Sequence, residues 1–111
     1  MKKEINLYEI IYLLDNTLTQ QEISNKMNYY QKFLTQKGSR VMVKNRGKRS
    51  LSYPIKDFET ANYIQMLYLG NGKLVNSLNK EIRRDENVIR DITTRMVSLQ
   101  SNQKSSDQFA F

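Results

Sequence analysis

Lysine and arginine side chains, the groups in this sequence best suited to bind phosphate, are concentrated in its middle third. The chain of 111 residues has 18 lysines and arginines against 11 acidic residues, a formal charge of +7. From Ile23 to Lys56 it has no acidic residue and nine cations, namely Lys26, Lys32, Lys37, Arg40, Lys44, Arg46, Lys48, Arg49 and Lys56. Such a stretch is typical of a surface that binds a polyanion, and nucleic acid is favoured over a membrane surface. A solvated face that keeps the protein soluble is the alternative.

The charge is densest in the segment RGKRSLSYPIKD, from Arg46 to Asp57. Its LSYPI part is strand-like but contains the only proline, Pro54. Because proline lacks an N–H, it is tolerated on an edge strand, and Gly47 permits a bend or bulge in the same edge. Lysine, proline and bulges commonly protect an exposed edge from aggregation. The other interpretation makes the edge a docking surface, with cations for RNA and backbone groups for a partner protein. The two interpretations do not exclude each other.

The residue types that most enzyme chemistry needs are missing. Cysteine and histidine are both absent, which excludes disulfides, thiol nucleophiles, imidazole bases and the usual zinc sites. Carboxylates remain, but no pair of them lies in an apolar context that would raise a pKa. The sequence therefore predicts a non-catalytic protein with no cofactor, metal or small-molecule substrate. No segment approaches the roughly 20 apolar residues that cross a bilayer, and no signal peptide is recognisable, so no membrane partner is expected.

Six elements are predicted to position these residues. Thr19 and Glu22 form a capping box at the start of a helix, and Gly38 is placed to end that helix in the left-handed conformation. In chain order the predicted elements are a strand over Ile5–Leu14, a helix from Thr19 to Gly38, a second strand made of two extended segments, Arg40–Lys44 and Leu51–Ile55, on either side of the basic stretch, a strand over Ala61–Leu69, a helix over Lys73–Arg83 and a strand over Val88–Val97. Residues 1–97 are expected to form one domain and residues 98–111 a flexible polar tail.

The order of these elements predicts an α+β fold. Strand, helix, strand, strand, helix, strand is the ferredoxin-like βαββαβ pattern. Right-handed crossovers place both helices on one face of a four-stranded antiparallel sheet. In that topology the spatial strand order is four, one, three, two, so the second and fourth strands are the edges.

Four short motifs, in this order, resemble the bacterial-type small-subunit ribosomal protein six family. They are Tyr8-Glu9-Ile10, Gly38-x-Arg40-Val41, the Arg46–Ile55 segment and Arg84–Arg90. The resemblance covers roughly Tyr8 to Met96. It implies a non-catalytic, ferredoxin-like constituent of the small ribosomal subunit. It also implies binding to the central domain of the small-subunit (16S) rRNA together with ribosomal protein eighteen.

The charge pattern and the resemblance together give two sets of site residues, and the resemblance itself implies rRNA contacts by Arg46, Lys48 and Arg49 at an edge shaped by Tyr53 and Pro54. The candidates for rRNA binding are Lys2, Lys3, Lys44, Arg46, Lys48, Arg49, Lys56, Arg84 and Arg90. The candidate partner-binding edge consists of Leu51, Tyr53, Pro54 and Ile55. For Arg83 and Arg84 the alternative is an ion pair with Glu81, Asp85 or Glu86. The composition, rich in Asn, Lys, Ile and Tyr, and a short, nearly neutral tail indicate a plastid-encoded member in a chloroplast ribosome, with a bacterial cytoplasm as the second choice.

Other functions of the same topology remain as alternatives. The first is a free-standing module of the RNA-recognition type, which stacks single-stranded bases on aromatic residues of its central strands. The third strand, ANYIQMLYL, lacks the sequence motif that carries those stacking aromatic residues in such modules. Four tyrosines are therefore interpreted as packing residues: Tyr8, Tyr12, Tyr63 and Tyr68. A small-molecule regulatory domain gives no reason for nine cations without an acid. An acylphosphatase-type enzyme needs an arginine in a glycine-rich loop, which the DNTL loop after the first strand does not contain.

Overall fold

The structure, a computed structural model, describes residues 5–98, with side chains described as far as residue 96. In chain order it contains β1 (Asn6–Asp15), α1 (Gln20–Thr35), β2 (Val41–Ile55), β3 (Phe58–Gly70), α2 (Gly72–Arg83) and β4 (Val88–Ser98). The strands form one antiparallel sheet in the order β2-β3-β1-β4. This confirms the predicted α+β ferredoxin-like topology and its two edges. Lys2, Lys3 and residues 99–111 lie outside the described residues, so the division at residue 97 stays a prediction.

Helix α1 begins and ends at the predicted signals. The Thr19 backbone N–H donates to Glu22 Oε1 at 2.8 Å, and the Glu22 N–H donates to Thr19 Oγ1 at 3.1 Å. These reciprocal bonds satisfy two N–H groups that the first turn leaves without helical partners. At the other end Gly38 has a φ of +89°, and the Ser39 N–H donates back to the Leu34 carbonyl at 3.1 Å. The capping box and the glycine stop are therefore confirmed.

The main core lies between the sheet and the two helices. Every second residue of β1, from Tyr8 to Leu14, points into it, where Ile23, Leu34 and Leu78 are fully buried. Tyrosines supply much of this packing: the rings of Tyr8 and Tyr68 stack at 5.7 Å, and those of Tyr12 and Tyr30 meet edge to face at 5.5 Å. Three of the four tyrosines interpreted as packing residues are thus in the core. Tyr63 lies on the opposite face of the sheet, which neither helix covers and which we call the open face.

Strand β2 runs without a break through the basic segment, so the two extended segments predicted on either side of it belong to one continuous strand. A bulge at Arg46 makes the continuous strand possible: Asn45 pairs with Ile64 and Gly47 with Tyr63, leaving Arg46 without an opposite residue. Gly47 has a φ of +93°, and its N–H donates to Asn45 Oδ1 at 2.8 Å. Because one extra residue is absorbed at the bulge, the ladder resumes on the far side. The bulge itself was predicted.

The β2–β3 connection is tighter than the sequence suggested. The turn consists of two residues, Lys56 with a φ of +50° and Asp57 with a φ of +69°. Positive φ at both central positions matches the right-handed twist of the strands that a two-residue hairpin joins. As a result β3 begins at Phe58 rather than at Ala61.

The end of this hairpin extends beyond the sheet and folds over the open face. Strand β1 pairs with β3 only from Ala61 to Gly70, so residues 50–60 form a two-stranded arm, here called the hairpin arm. Regular pairing lapses between Ser50 and Ile55. The arm is held instead by a second apolar cluster on the open face, formed by Leu13, Ala61 and Ile89 with the partly buried Ile11, Leu51, Ile55, Phe58 and Tyr63.

Candidate nucleic-acid and partner interface

Four of the predicted RNA-binding cations lie on β2 and are exposed: Lys44, Arg46, Lys48 and Arg49. Directly paired residues on antiparallel strands point to the same face of a sheet. Lys44 pairs with Gln65 and Arg49 with Ala61, which places both on the open face. Lys48 pairs with Asn62 and so points to the helix side, and Arg46 occupies the bulge. The edge strand therefore presents positive charge in several directions over a few residues.

None of these four cations has an acidic partner among the described residues. The ion pairs there are Lys26–Asp85 at 2.7 Å, Arg83–Asp91 at 3.0 Å and Arg84–Glu81 at 3.7 Å. All three lie at the helices, away from β2. A cation that is exposed and unpaired can meet a phosphate oxygen without first giving up an internal bond, and such contacts position a protein on nucleic acid.

Two arginines on the open face are oriented by tyrosine rings. The Arg49 guanidinium lies over the Tyr63 ring at 5.2 Å, and that of Arg90 lies 6.0 Å from the Tyr53 ring centre. Arg90 Nη1 also donates to the Tyr53 hydroxyl at 3.3 Å. Tyr53 belongs to β2 and Arg90 to β4, so this contact joins the two outer strands across the open face. Stacking holds a planar guanidinium while its N–H edges still point outward.

The remaining predicted cations lie apart from this group. Lys56 is exposed in the turn at the tip of the hairpin arm. Arg84 caps the end of α2 and pairs with Glu81, as its alternative interpretation predicted. Its neighbour Arg83 pairs with Asp91 of β4 instead of the acids considered for it.

The four residues predicted as a partner-binding edge are found on the hairpin arm. Leu51 and Ile55 are half-buried against the second cluster, whereas Tyr53 is 58% exposed and Pro54 is also exposed. Between the arm and the sheet is an apolar groove of about 220 Å³. Its walls include Ile11, Leu13, Leu51, Tyr53, Tyr63 and Ile92. Leu51, Tyr53 and Ile55 thus form one wall of a groove rather than a flat edge, while Pro54 lies outside the groove lining.

Sequence reasoning missed Ile92 and the groove itself. Ile92 pairs with Ile11 on the open face and is 57% exposed. The signal was present in β1, which is apolar at Leu7, Ile11 and Leu13 as well as on its core face. Since two helices on one side can cover only one face, apolar residues on the other face require a second covering element. The hairpin arm supplies part of that cover.

Carboxylates near the helix ends serve the fold. Asp85 Oδ2 accepts from Lys26 Nζ and from the Tyr30 hydroxyl, both at 2.7 Å. Burial acts to raise the pKa of Asp85, but the bonds from Lys26, the Asn87 backbone and Tyr30 outweigh it and lower that pKa. The pKa of Asp15 is likewise lowered, because bonds from Asn87 and Thr17 outweigh burial. Both groups are therefore ionised and fixed at neutral pH, the opposite of a carboxyl tuned for proton transfer.

Together the fold and its surfaces define a small ferredoxin-like domain whose distinctive groups lie on an edge strand and an open sheet face. In the described part of the chain, no helix is both long enough and apolar enough to span a membrane.

Comparison with known proteins identifies the family. The family model described as Ribosomal protein S6 matches residues 7–95. Small ribosomal subunit protein bS6c of Porphyra purpurea is 41% identical over 93 residues, 83% of this chain and 83% of that protein. Small ribosomal subunit protein bS6 of Gloeothece citriformis is 37% identical over 90 residues, 80% of this chain and 51% of that protein. The 30S ribosomal protein S6 of Thermotoga maritima shares the fold with a TM-score of 0.78 at 23% identity, over 85% of this chain and 89% of that one.

The chain belongs to the ribosomal protein S6 family. It is a structural, non-enzymatic constituent of the small ribosomal subunit, which confirms the resemblance and the prediction that it is not an enzyme. The plastid-type relatives of red algae and the bacterial relatives together support a chloroplast ribosome or a bacterial cytoplasm.

Proposed function

We propose that this chain binds the central domain of the small-subunit (16S) rRNA together with ribosomal protein eighteen. The observation that carries the proposal is the adjacency, on the single strand β2, of four exposed cations without acidic partners among the described residues and one wall of an apolar groove. Charge binds RNA and an apolar groove binds protein, so one strand serves both partners.

The RNA half of the proposal rests on Arg46, Lys48 and Arg49 at the bulge. Their charges are exposed and within four residues of each other, which suits neighbouring phosphates of one folded RNA backbone. Phosphate contacts fix position and register but carry little sequence information. Specificity then requires RNA shape and the protein partner. Lys44 and Arg90 extend the same surface over the open face, while Lys2, Lys3, Lys56 and Arg84 are proposed as outlying contacts.

The partner half rests on the groove under the hairpin arm. Pro54 has no N–H, and pairing with β3 lapses between Ser50 and Ile55. A partner strand added along this edge would meet an interrupted ladder. Ribosomal protein eighteen is therefore proposed to insert apolar side chains between Tyr53 and Ile92, both more than half exposed. Aromatic residues beside a pocket are frequent anchors of protein interfaces.

The experiment is a binding titration with a central-domain fragment of 16S rRNA, with and without ribosomal protein eighteen, over a series of salt concentrations. The triple variant Arg46→Ala/Lys48→Ala/Arg49→Ala removes three charges from the bulge. We expect weaker binding, and a salt dependence that is flatter by about one unit of slope for each phosphate that the variant no longer binds.

A matched triple variant, Lys32→Ala/Lys80→Ala/Arg95→Ala, removes the same charge from exposed positions on the helix side. If both triple variants lowered the affinity equally, only net charge would matter and the assignment to β2 would be wrong. If the wild-type protein bound unstructured RNA equally well without the partner, a free-standing RNA-binding module would replace the proposal.

A further inference from the structure

A second basic surface lies at the end of the sheet opposite the hairpin arm. There the loop after α1 and the first turn of α2 enclose an open cleft of about 510 Å³. Its walls carry Lys37, Arg40 and Lys73, together with polar Ser39, Asn71 and Ser77. No acidic side chain is among the described residues that line it. None of these three cations is among the specific rRNA-binding candidates named from the sequence.

Hydrogen bonds and close packing hold the two sides of this cleft together. The Ser39 hydroxyl donates to the Leu69 carbonyl at 2.6 Å, and the Leu69 N–H donates to the Arg40 carbonyl at 3.2 Å. These bonds tie the loop after α1 to the end of β3. Gly70 follows, where a Cβ would stand 2.6 Å from a Leu74 side-chain carbon, so the first turn of α2 packs directly on the strand end. These contacts connect both walls of the cleft to the end of β3.

The two lysines of this cleft keep their charge available to a ligand. Lys37 and Lys73 are exposed, and neither takes part in an ion pair among the described residues. Lys37 Nζ lies instead over the Phe33 ring at 5.0 Å, a contact that leaves its charge at the surface. The first turn of α2 contains no acidic residue, so its positive end adds to the potential of the two lysines.

We infer that this cleft binds phosphate groups of the small-subunit rRNA backbone, as a second contact separate from the bulge of β2. The inference rests on the proposed function and extends it. Arg40 and Arg46 are six positions apart on extended chain, so about 20 Å separates the two surfaces at 3.3 Å per residue. That distance requires different phosphates, and the chain then bridges two parts of the folded RNA.

The double variant Lys37→Ala/Lys73→Ala tests the cleft. In the presence of ribosomal protein eighteen, we expect its affinity for the central-domain fragment to fall roughly 3- to 20-fold, as for two exposed charge contacts. The salt dependence should flatten by about two units of slope. Both side chains are exposed, so the thermal midpoint should stay close to that of the wild-type protein, and the fold can be checked by circular dichroism.

A directed cleavage experiment gives an independent readout. The chain has no cysteine, so Ser77→Cys introduces a unique thiol in the wall of the cleft, to which an iron chelate that cuts RNA can be attached. Ser24→Cys, on the exposed surface of α1, is the control. We expect backbone cuts in the complex from position 77 and none from position 24.

The possible failures are distinguishable. If the wild-type protein with its partner does not bind the rRNA fragment, the proposed function fails and the inference falls with it. If the wild-type protein binds and the triple variant at the bulge binds weakly, the proposed function stands. Unchanged affinity and slope for Lys37→Ala/Lys73→Ala, with no cuts from position 77, would then overturn the inference alone.

Discussion

Substitution of Gly47 tests whether the bulge of β2 depends on its backbone conformation. Gly47 has a φ of +93°, a region that residues with a Cβ rarely adopt. An added Cβ would meet no atom within 4 Å. The whole loss of stability in Gly47→Ala must therefore come from the backbone conformation. Any change in RNA binding would follow from an altered bulge rather than from a steric clash.

The expected magnitude follows from the conformational penalty for an L-residue. Left-handed backbone costs about 1–2 kcal/mol for residues other than glycine. With a urea m-value of about 1.5 kcal/mol/M, the unfolding midpoint of Gly47→Ala should fall by about 1 M. Gly47→Asn should lose less, because asparagine tolerates left-handed conformations better.

Urea unfolding followed by circular dichroism provides the measurement, and Gly72→Ala provides the control. Gly72 opens α2, its φ is not positive, and an added Cβ there also meets nothing within 4 Å. The same methyl group should leave stability unchanged or raise it by up to about 1 kcal/mol, by restricting the unfolded chain.

Equal midpoints for Gly47→Ala and Gly72→Ala would show that residue 47 does not hold a left-handed conformation in solution. The assignment of the bulge would then be wrong, and so would the orientation of Arg46 that depends on it. If instead Gly47→Ala is destabilised and also binds the rRNA fragment less tightly while Gly72→Ala does not, the bulge is both a structural and a binding feature.

Three further predictions concern the core, its acid sensitivity and the groove. The folded-state pKa values of Asp15 and Asp85 are lowered, so the stabilisation from these two carboxylates is complete above the unfolded pKa of about 4 and is lost as the pH falls through the lower folded values. The thermal midpoint, measured from pH 7 to pH 2, should therefore drop at the acid end. Asp85→Asn should reduce that drop. Tyr30→Phe should lower the free energy of unfolding in urea by about 2 kcal/mol, since it removes the 2.7 Å bond to Asp85. Tyr68→Phe should lower it less, because the Tyr68 hydroxyl has no partner among the described residues. Equal losses of stability in the two variants would contradict the assigned hydrogen bond. Ile92→Asp should weaken assembly with ribosomal protein eighteen by at least tenfold. The thermal midpoint should change little, because the Ile92 side chain is 57% exposed. Unchanged assembly would show that Ile92 is not part of the interface.

Local sequence signals predicted much of the fold because each has a short-range physical cause. Thr19 and Glu22 lie three residues apart and satisfy each other's backbone groups, so the start of α1 can be recognised from four residues. The density of apolar, β-branched and aromatic residues in β1 is likewise a local signal, because such side chains pack well on a pleated, buried surface. Pro54 predicted an edge strand, since a central strand would need its missing N–H.

Features that depend on distant residues were harder to predict. The two-residue turn at Lys56 and Asp57 requires positive φ at two residues that are not glycine, and the usual Asn-Gly signal is absent. Tyr53 contacts Arg90, 37 positions away, only because the hairpin arm folds over the open face. The candidate cations were identified from the charge pattern and the family resemblance, but which of them share a surface depends on the register of β2 against β3.

The hairpin arm has a consequence for how the binding of one partner affects the binding of the next. A two-stranded ribbon is only marginally stable by itself in water, and the arm is fixed mainly by side chains such as Leu51 and Ile55 on one side. Its amide hydrogens should exchange with solvent long before those of β1, which pairs on both sides. Covering the arm removes this local freedom, so the first molecule to bind there leaves less conformational entropy for the next to lose. Protein and RNA would then bind cooperatively through a change in motion, with little change in average structure.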